Sequence, residues 1–209
     1  MTQDDGTQLA GHAQAAVEAF LAGRPDDRSR VTLRLLSRDD QDEFLSLVAA
    51  SADLHHPWMS LPATPQEFQA YLTRFDHVTA EGLLVCLRRT GTIAGLVNIN
   101  NIIRGRFQNG SLAYAAFAPT AGQGYMAEGL GLVLRYAFER LRLHRLEAQI
   151  QPGNHASIGL VRRLGFRREG YSPELLFIDG AWRDHERWAI TSDMIGIAAT
   201  GPHPSLPVR

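Results

Sequence analysis

From Val31 onward the chain alternates between stretches with apolar residues at every second position and stretches where they recur every three or four. Val31 to Leu36 reads as a strand. Ser37 and Asp40 form a capping pair that opens a helix whose apolar face is Phe44, Leu47 and Val48. A second helix is announced by Thr64 as N-cap, Pro65 in the first turn and Glu67 as the N3 acid, with Phe68, Tyr71, Leu72 and Phe75 at helical spacing. Leu83 to Arg88, a turn at Thr90–Gly91, and Ile93 to Asn100 predict a β-hairpin, and a further strand runs from about Gly110 to Phe117. A loop with Gly122 and Gly124 leads into a long helix that lines up Leu130, Val133, Leu134, Ala137, Phe138 and Leu141. Leu146, Ala148 and Ile150 alternate as a buried strand. A short helix with Ile158, Val161 and Leu164 then stops at Gly165. Leu175 to Ile178, the turn Asp179–Gly180, and Trp188 to Thr191 close the pattern as a hairpin.

The expected fold is therefore α/β (α+β), a mixed and mostly antiparallel central sheet flanked by helices, with one strand–helix–strand unit in its second half. The pattern divides the chain into an N-terminal extension over 1–30, a domain over 31–195 and a C-terminal tail over 196–209. Within the extension, Val17, Phe20 and Leu21 are an apolar series suited to a short helix, and its Ala, Gly, Asp and Gln content suits partial disorder.

Length and charge narrow the function. At 209 residues the chain suits one good-sized domain. Its 21 basic and 22 acidic residues nearly cancel, which argues against a protein that coats DNA or an anionic membrane. Every basic residue is arginine. The single cysteine, Cys86, sits mid-strand and reads as core. The N-terminal residues carry no basic start followed by an apolar run, so a cytoplasmic protein is expected. His55 and His56 lack a third ligand at metal spacing, so no metal is expected and both read as surface histidines. His155 and His185 read as structural or rim residues. Monomer and homodimer both stay open.

Two segments carry the chemistry. Pro119 to Glu128 lies between a strand and a helix; Gly122 and Gly124 let the backbone turn sharply, and the helix N-terminus adds unpaired N–H donors. Together they could cradle a diphosphate. A Walker loop is excluded because no lysine is present. The spacing Gly122, Gly124, Ala127 matches a dinucleotide loop, but an antiparallel hairpin precedes it and no acidic residue closes the next strand to hold a ribose. The second segment, Leu146 to Phe166, has a strand running to Asn154, a short helix and a closing Gly165–Phe166.

This second segment resembles the second signature of the GNAT acetyltransferases. The resemblance is closer still to the ribosomal-protein-alanine N-acetyltransferases of the RimJ/RimL type. It extends over about Thr32 to Met194, through Pro57–Trp58, Asn100–Gly105, Gly124–Glu128, His144–Arg145, Arg167–Tyr171 and Ile178–His185. It implies acetyl-CoA as cosubstrate and a primary amine as acceptor, most simply the N-terminal α-amine of a protein. A small-molecule amine and a non-catalytic acyl-CoA-binding role are the alternatives. In relatives the strand before the loop pairs with the pantetheine arm, which points to Phe117 and Ala118. The loop N–H groups of Gly122, Gln123, Gly124, Tyr125, Met126 and Ala127 would hold the pyrophosphate. Asn154 would bond the pantetheine chain, and Ser157 would face the sulfur and protonate the departing thiolate. Trp58, Asn100 and Tyr114 fall to the acceptor side. Two positions depart from common relatives: Val161 stands where many carry a tyrosine acid, and Ser111 where some carry a glutamate base. Glu128 is the nearby carboxylate, readable either as a base or as a first-turn acid favoured by the helix dipole.

Overall fold

A computed structural model describes residues 11, 12, 14, 15, 17–20 and 29–198. Seven strands form one sheet in the order β1-β2-β3-β4-β5-β7-β6. They are β1 (Val31–Leu35), β2 (Glu81–Leu87), β3 (Ile93–Ile103), β4 (Asn109–Ala116), β5 (Arg145–Ile150), β6 (Arg167–Ile178) and β7 (Ala181–Thr191). Neighbours are antiparallel except β4 and β5, which are parallel. The helices are α1 (Gln41–Ala50), the single turn α2 (Ala52–His55), α3 (Pro65–Leu72), α4 (Tyr125–Arg135) and α5 (His155–Arg163).

Each helix lies where its apolar face demands. α1 and α3 cover one sheet face, where Phe44 meets Phe68 and Phe117 at ring-centroid distances of 5.1 and 5.8 Å, over Leu84, Cys86 and Leu96. α4 and α5 cover the other, setting Leu130, Val133, Ile158 and Val161 against Leu83, Val85, Val97 and Leu146. Strand β2 is thus buried on both faces, which is why it reads as a run of apolar residues rather than an alternation. Each fully buried large side chain contributes about 1.5–3 kcal/mol. The predicted caps form as well: the Thr64 hydroxyl accepts from the Glu67 N–H at 3.2 Å, and the Glu67 carboxylate accepts from Ala63 N–H at 2.7 Å. Asp40 accepts from the Ser37 N–H at 2.8 Å, although a 3₁₀ turn, Arg38–Asp40, precedes α1.

Two features were not legible. The closing hairpin is much longer than its apolar ends suggest, because β6 is an edge strand with few buried residues, and its polar first half carries no period-two signal. Its turn is as expected, with Asp179 at φ +50° and Gly180 at φ +75°. Second, Val17 and Phe20, within the proposed extension, are buried in the main core, and Phe20 packs edge-on to Tyr136 at 5.8 Å. Leu21, residues 1–10 and the tail beyond 198 lie outside the described residues. Among the described residues no helix is long and apolar enough to cross a membrane.

One charged residue is buried between α4 and the sheet. Glu81 is 1% exposed; the Tyr136 hydroxyl donates to one carboxylate oxygen at 3.4 Å, and the other has no partner among the described residues. Burial pushes its carboxyl up from 4.5 to about 7, against the weaker pull of Tyr136 and Arg104. The folded protein then holds a proton that the unfolded chain releases, so stability falls as pH rises from about 4.5 to 7 and is flat above. We expect Glu81→Gln to remove about 2 kcal/mol of this slope and to be the more stable protein at pH 8. Urea unfolding of both proteins at about pH 5 and 8 checks it; parallel slopes would refute the assignment.

Candidate active site

Strands β4 and β5 pair over four rows only, from Asn109↔Arg145 to Leu112↔Ala148, and then part. The backbone groups of a β residue point to one side of the strand, so those of Tyr114 and Ala116 face the gap as those of Leu112 face β5. The Ala116 carbonyl accepts from His55 Nε2 at 2.9 Å, which leaves the Tyr114 groups and the Ala116 N–H toward the opening. A cavity of about 650 Å³ fills the space, walled by Tyr114 to Ala116, the loop before α4 and the first turns of α5.

The loop is shaped for an anion. Gly122 has φ +77° and Gly124, the residue before α4, has φ +86°, a left-handed conformation that side chains resist. Among the described residues no backbone carbonyl takes the N–H of Gly122, Gln123 or Gly124, and the first N–H groups of α4 have no partner within the helix. Arg163, near the end of α5, also lines this cavity and adds a positive charge. Gly95 makes room beneath: a Cβ there would stand 2.1 Å from the Met126 sulfur, so β3 admits the start of α4 only as glycine.

A second cavity of about 860 Å³ adjoins the first. Trp58, Met59, Tyr114, Asn154 and Ser157 border both cavities. At the junction the Tyr114 hydroxyl and Ser157 Oγ lie 2.6 Å apart. Burial pushes the Tyr114 phenol up to about 12, despite the opposing pull of the Ser157 hydrogen bond, so at neutral pH it stays protonated and able to donate. Asn154 caps α5, its Oδ1 accepting from the Ser157 N–H at 3.0 Å, and this fixes the serine at the gap.

The profile of the family described as "Acetyltransferase (GNAT) domain" matches residues 30–167. The chain belongs to the GNAT acetyltransferase family. The ribosomal protein uS5-alanine N-acetyltransferase of Escherichia coli (strain K12) is 40% identical over 100 residues, 48% of this chain and 52% of that protein. The match therefore spans about half the length of that relative. The spermidine N(1)-acetyltransferase of Vibrio cholerae is 28% identical over 168 residues, 78% of this chain and 93% of that protein. Among solved structures, Mycobacterium smegmatis RimJ in complex with CoA-disulfide superposes with a TM-score of 0.74 at 25% identity, over 81% of this chain and 85% of that one.

Within this GNAT fold the residues named from sequence divide. Gly122, Gly124, Tyr125, Met126, Ala127, Asn154 and Ser157 all line the smaller cavity. Trp58, Asn100 and Tyr114 line the larger, and Trp58 lies over Gly153, where a Cβ would stand 3.2 Å from the ring. Three of the residues named from sequence are engaged elsewhere. Phe117 is fully buried in the aromatic core, and its N–H donates to the Ala94 carbonyl at 3.2 Å. The Ala118 N–H donates to Ser51 Oγ at 2.8 Å, so the free strand groups are those of Tyr114 and Ala116 instead. Gln123 lines neither cavity and its carbonyl accepts from Arg30 at 2.9 Å, while its N–H stays among the unpaired ones of the loop. Glu128 is turned to β1, where its carboxylate accepts from the Arg30 N–H at 2.7 Å and side chain Nε at 2.6 Å. Partial burial alone would raise its carboxyl; these Arg30 bonds and one from Ser29 hold it below the usual range, the opposite of a poised base.

One further residue differs from its sequence reading, and three more are placed by the fold. His55 is buried against Phe117 rather than on the surface. Val161, at the position of the missing tyrosine acid, is fully buried core. Ser111 donates to Gln149 Oε1 at 2.9 Å, and its registered neighbour across the sheet is Glu147. Cys86 is buried and its thiol is raised to about 11 by burial, as a core residue should be. Among the described residues no three metal-ligating side chains cluster. Spacing alone could not place Arg163 or the Tyr114–Ser157 contact, because both depend on how α5 docks beside β4.

The loop geometry predicts opposite responses at two glycines, one just before α4 and one within it. Gly124→Ala forces a left-handed alanine and should cost about 1 kcal/mol, lowering Tm by roughly 2–4 °C. Gly131→Ala, inside α4 with nothing within 4 Å of the new Cβ, should raise Tm by a similar amount. Differential scanning fluorimetry separates them; a rise for Gly124→Ala would mean the loop has another backbone course.

Proposed function

We propose that the protein is an acetyl-CoA-dependent N-acetyltransferase that acts on the N-terminal α-amine of a polypeptide, as the ribosomal-protein-alanine enzymes do. The observation that carries the reading is the meeting of two cavities at the Tyr114–Ser157 pair. The smaller cavity offers unpaired N–H groups, a helix N-terminus and Arg163 to a pyrophosphate, and free strand groups to an amide-bearing arm. Acetyl-CoA supplies a thioester already activated toward an amine.

The chain's own residues then have limited tasks. The cavity walls align the amine with the acyl carbon, which converts a bimolecular encounter into a local one. Ser157 and Tyr114, in contact at 2.6 Å, donate a proton where thiolate charge develops.

Acceptor choice follows from charge. The larger cavity is lined by one acid, Glu147, together with Arg74, Arg187 and His185 among the described residues. Glu147 is already bonded to Arg145 at 2.9 Å. Such a wall offers little to a polycation and accommodates a peptide with a single amine. The similarity to a spermidine N(1)-acetyltransferase runs over more of the chain, and it keeps the polyamine as the second reading.

We expect CoA release with peptides bearing free Ala or Ser N-termini and little with spermidine. Turnover restricted to spermidine would replace the peptide reading, and tight CoA binding without any turnover would make the protein an acyl-CoA sensor. Tyr114→Phe and Ser157→Ala should each lower kcat about 100-fold or more with the KM for acetyl-CoA little changed. Full kcat in both variants would remove the pair as proton donor.

A further inference from the structure

We propose that His185 is the proton acceptor for the attacking amine. This rests on the acetyl-transfer reading above. It fills a role for which neither Ser111 nor Glu128 is available.

Position comes first. The last row that joins β5 to β7 is Ile150↔Glu186, so His185 stands one step beyond the end of β5, beside the turn that runs from Gln151 to Asn154 and delivers Ser157. Its partner on β6 is Ser172. The imidazole is 2% exposed and forms part of the wall of the larger cavity, to which Tyr114 and Ser157 also belong. The one carboxylate on that wall, Glu147, is registered with Ser111, three residues below Tyr114 on β4 and so about 10 Å from its level. Its carboxylate is also occupied by Arg145, at 2.9 Å.

The tautomer follows from one contact. His185 Nδ1 is 2.8 Å from the Arg183 carbonyl, which can only accept, so Nδ1 carries the hydrogen. A neutral ring then has its lone pair on Nε2. Burial lowers the imidazole below its ordinary value, outweighing the bond to Arg183 and the charge of Asp184, so the neutral form prevails at neutral pH. The surrounding charges agree. Asp184 is engaged by the Tyr171 hydroxyl and by the Glu174 N–H at 2.8 Å. On the same strand Arg183 donates to the Ile178 carbonyl at 3.3 Å, and Glu186 accepts from Trp188 Nε1 at 2.9 Å and pairs with Arg168. Among the described residues, Arg187 and Arg74 are the other charged groups on the cavity wall besides Glu147.

The step balances without a further reactant. The amine nitrogen bonds to the acyl carbon as the carbon–sulfur bond breaks. The proton shed by nitrogen passes to Nε2, directly or through one water. The sulfur takes a proton from Ser157 and Tyr114, and solvent exchange restores both groups.

The test uses the full chain and whichever amine of the peptide and polyamine panel the wild type acetylates. His185→Gln and His185→Asn are compared with wild type in kcat/KM from about pH 5.5 to 9, with CoA affinity by calorimetry as the check on folding. We expect kcat to fall about 100-fold, the part of the acidic limb due to the imidazole to be lost while the part due to the amine's own protonation remains, and CoA affinity to stay within about threefold. Wild-type kcat with the limb intact would overturn the assignment while leaving acetyl transfer standing. A wild type inert to every amine would overturn both. A second measurement needs no variant: nitrogen-15 NMR of the wild type at pH 7 should find His185 neutral with its proton on Nδ1. A proton on Nε2, or a charged ring, would refute the role.

Discussion

Parallel strands β4 and β5 stay hydrogen-bonded for four rows and then separate, and the site is a consequence of that separation. Above Leu112 the strand groups that would have met β5 are left facing a gap, and a buried backbone group without a partner is costly. The protein spends one of them on His55 and leaves others where a ligand can complete the ladder. The same gap receives the N-terminal ends of α4 and α5, one bringing the glycine loop and the other Asn154 and Ser157. The glycine loop and the Tyr114–Ser157 pair are thereby brought to a single opening. The sheet on either side is held rigidly, β3 against β4 and β7 against β5, so the gap is built into the register rather than into a flexible loop.

Two kinds of residue maintain this arrangement. Some are absences of a side chain: Gly95 admits Met126, and Gly124 takes a backbone conformation that alanine resists. Others are polar ties from outside the site. Arg30 at the entrance to β1 binds both Glu128 and the Gln123 carbonyl, and Ser51 at the end of α1 holds Ala118. Such ties set where the loop begins and ends without touching what it binds. Glu128 shows why nearness in sequence to a site is weak evidence of chemistry. It directly follows the loop, yet the helix turns it away from the opening and toward β1.

The larger cavity is walled mainly by β5, the β6–β7 hairpin and the segment around Trp58. Its charges are few and mostly positive, whereas the smaller cavity is a row of neutral donors with one arginine. This division matches a reaction in which one partner is always the same and the other is chosen. The smaller cavity is walled in part by backbone groups, which every sequence has, and the larger by side chains, several of them on a hairpin whose edge strand is largely exposed.

By itself the sequence determined the elements and the family. The apolar runs of β2 and β3, the helical period of α4, the cap at Thr64, the turn at Asp179–Gly180 and the strand–helix unit ending in Gly165 are local signals, and local geometry obeyed them. It also placed the glycine loop and Ser157, because short motifs encode backbone shape. The polar half of β6 was illegible, since an edge strand need not alternate. Which residues would face one another was decided only by the tertiary structure. Tyr114 and Ser157 are 43 residues apart, and His185 reaches the same wall from a third strand. Their meeting depends on strand order, on the register that ends β5 at Ile150, and on the parting of β4 from β5. Those are long-range constraints, and no local pattern in the chain records them.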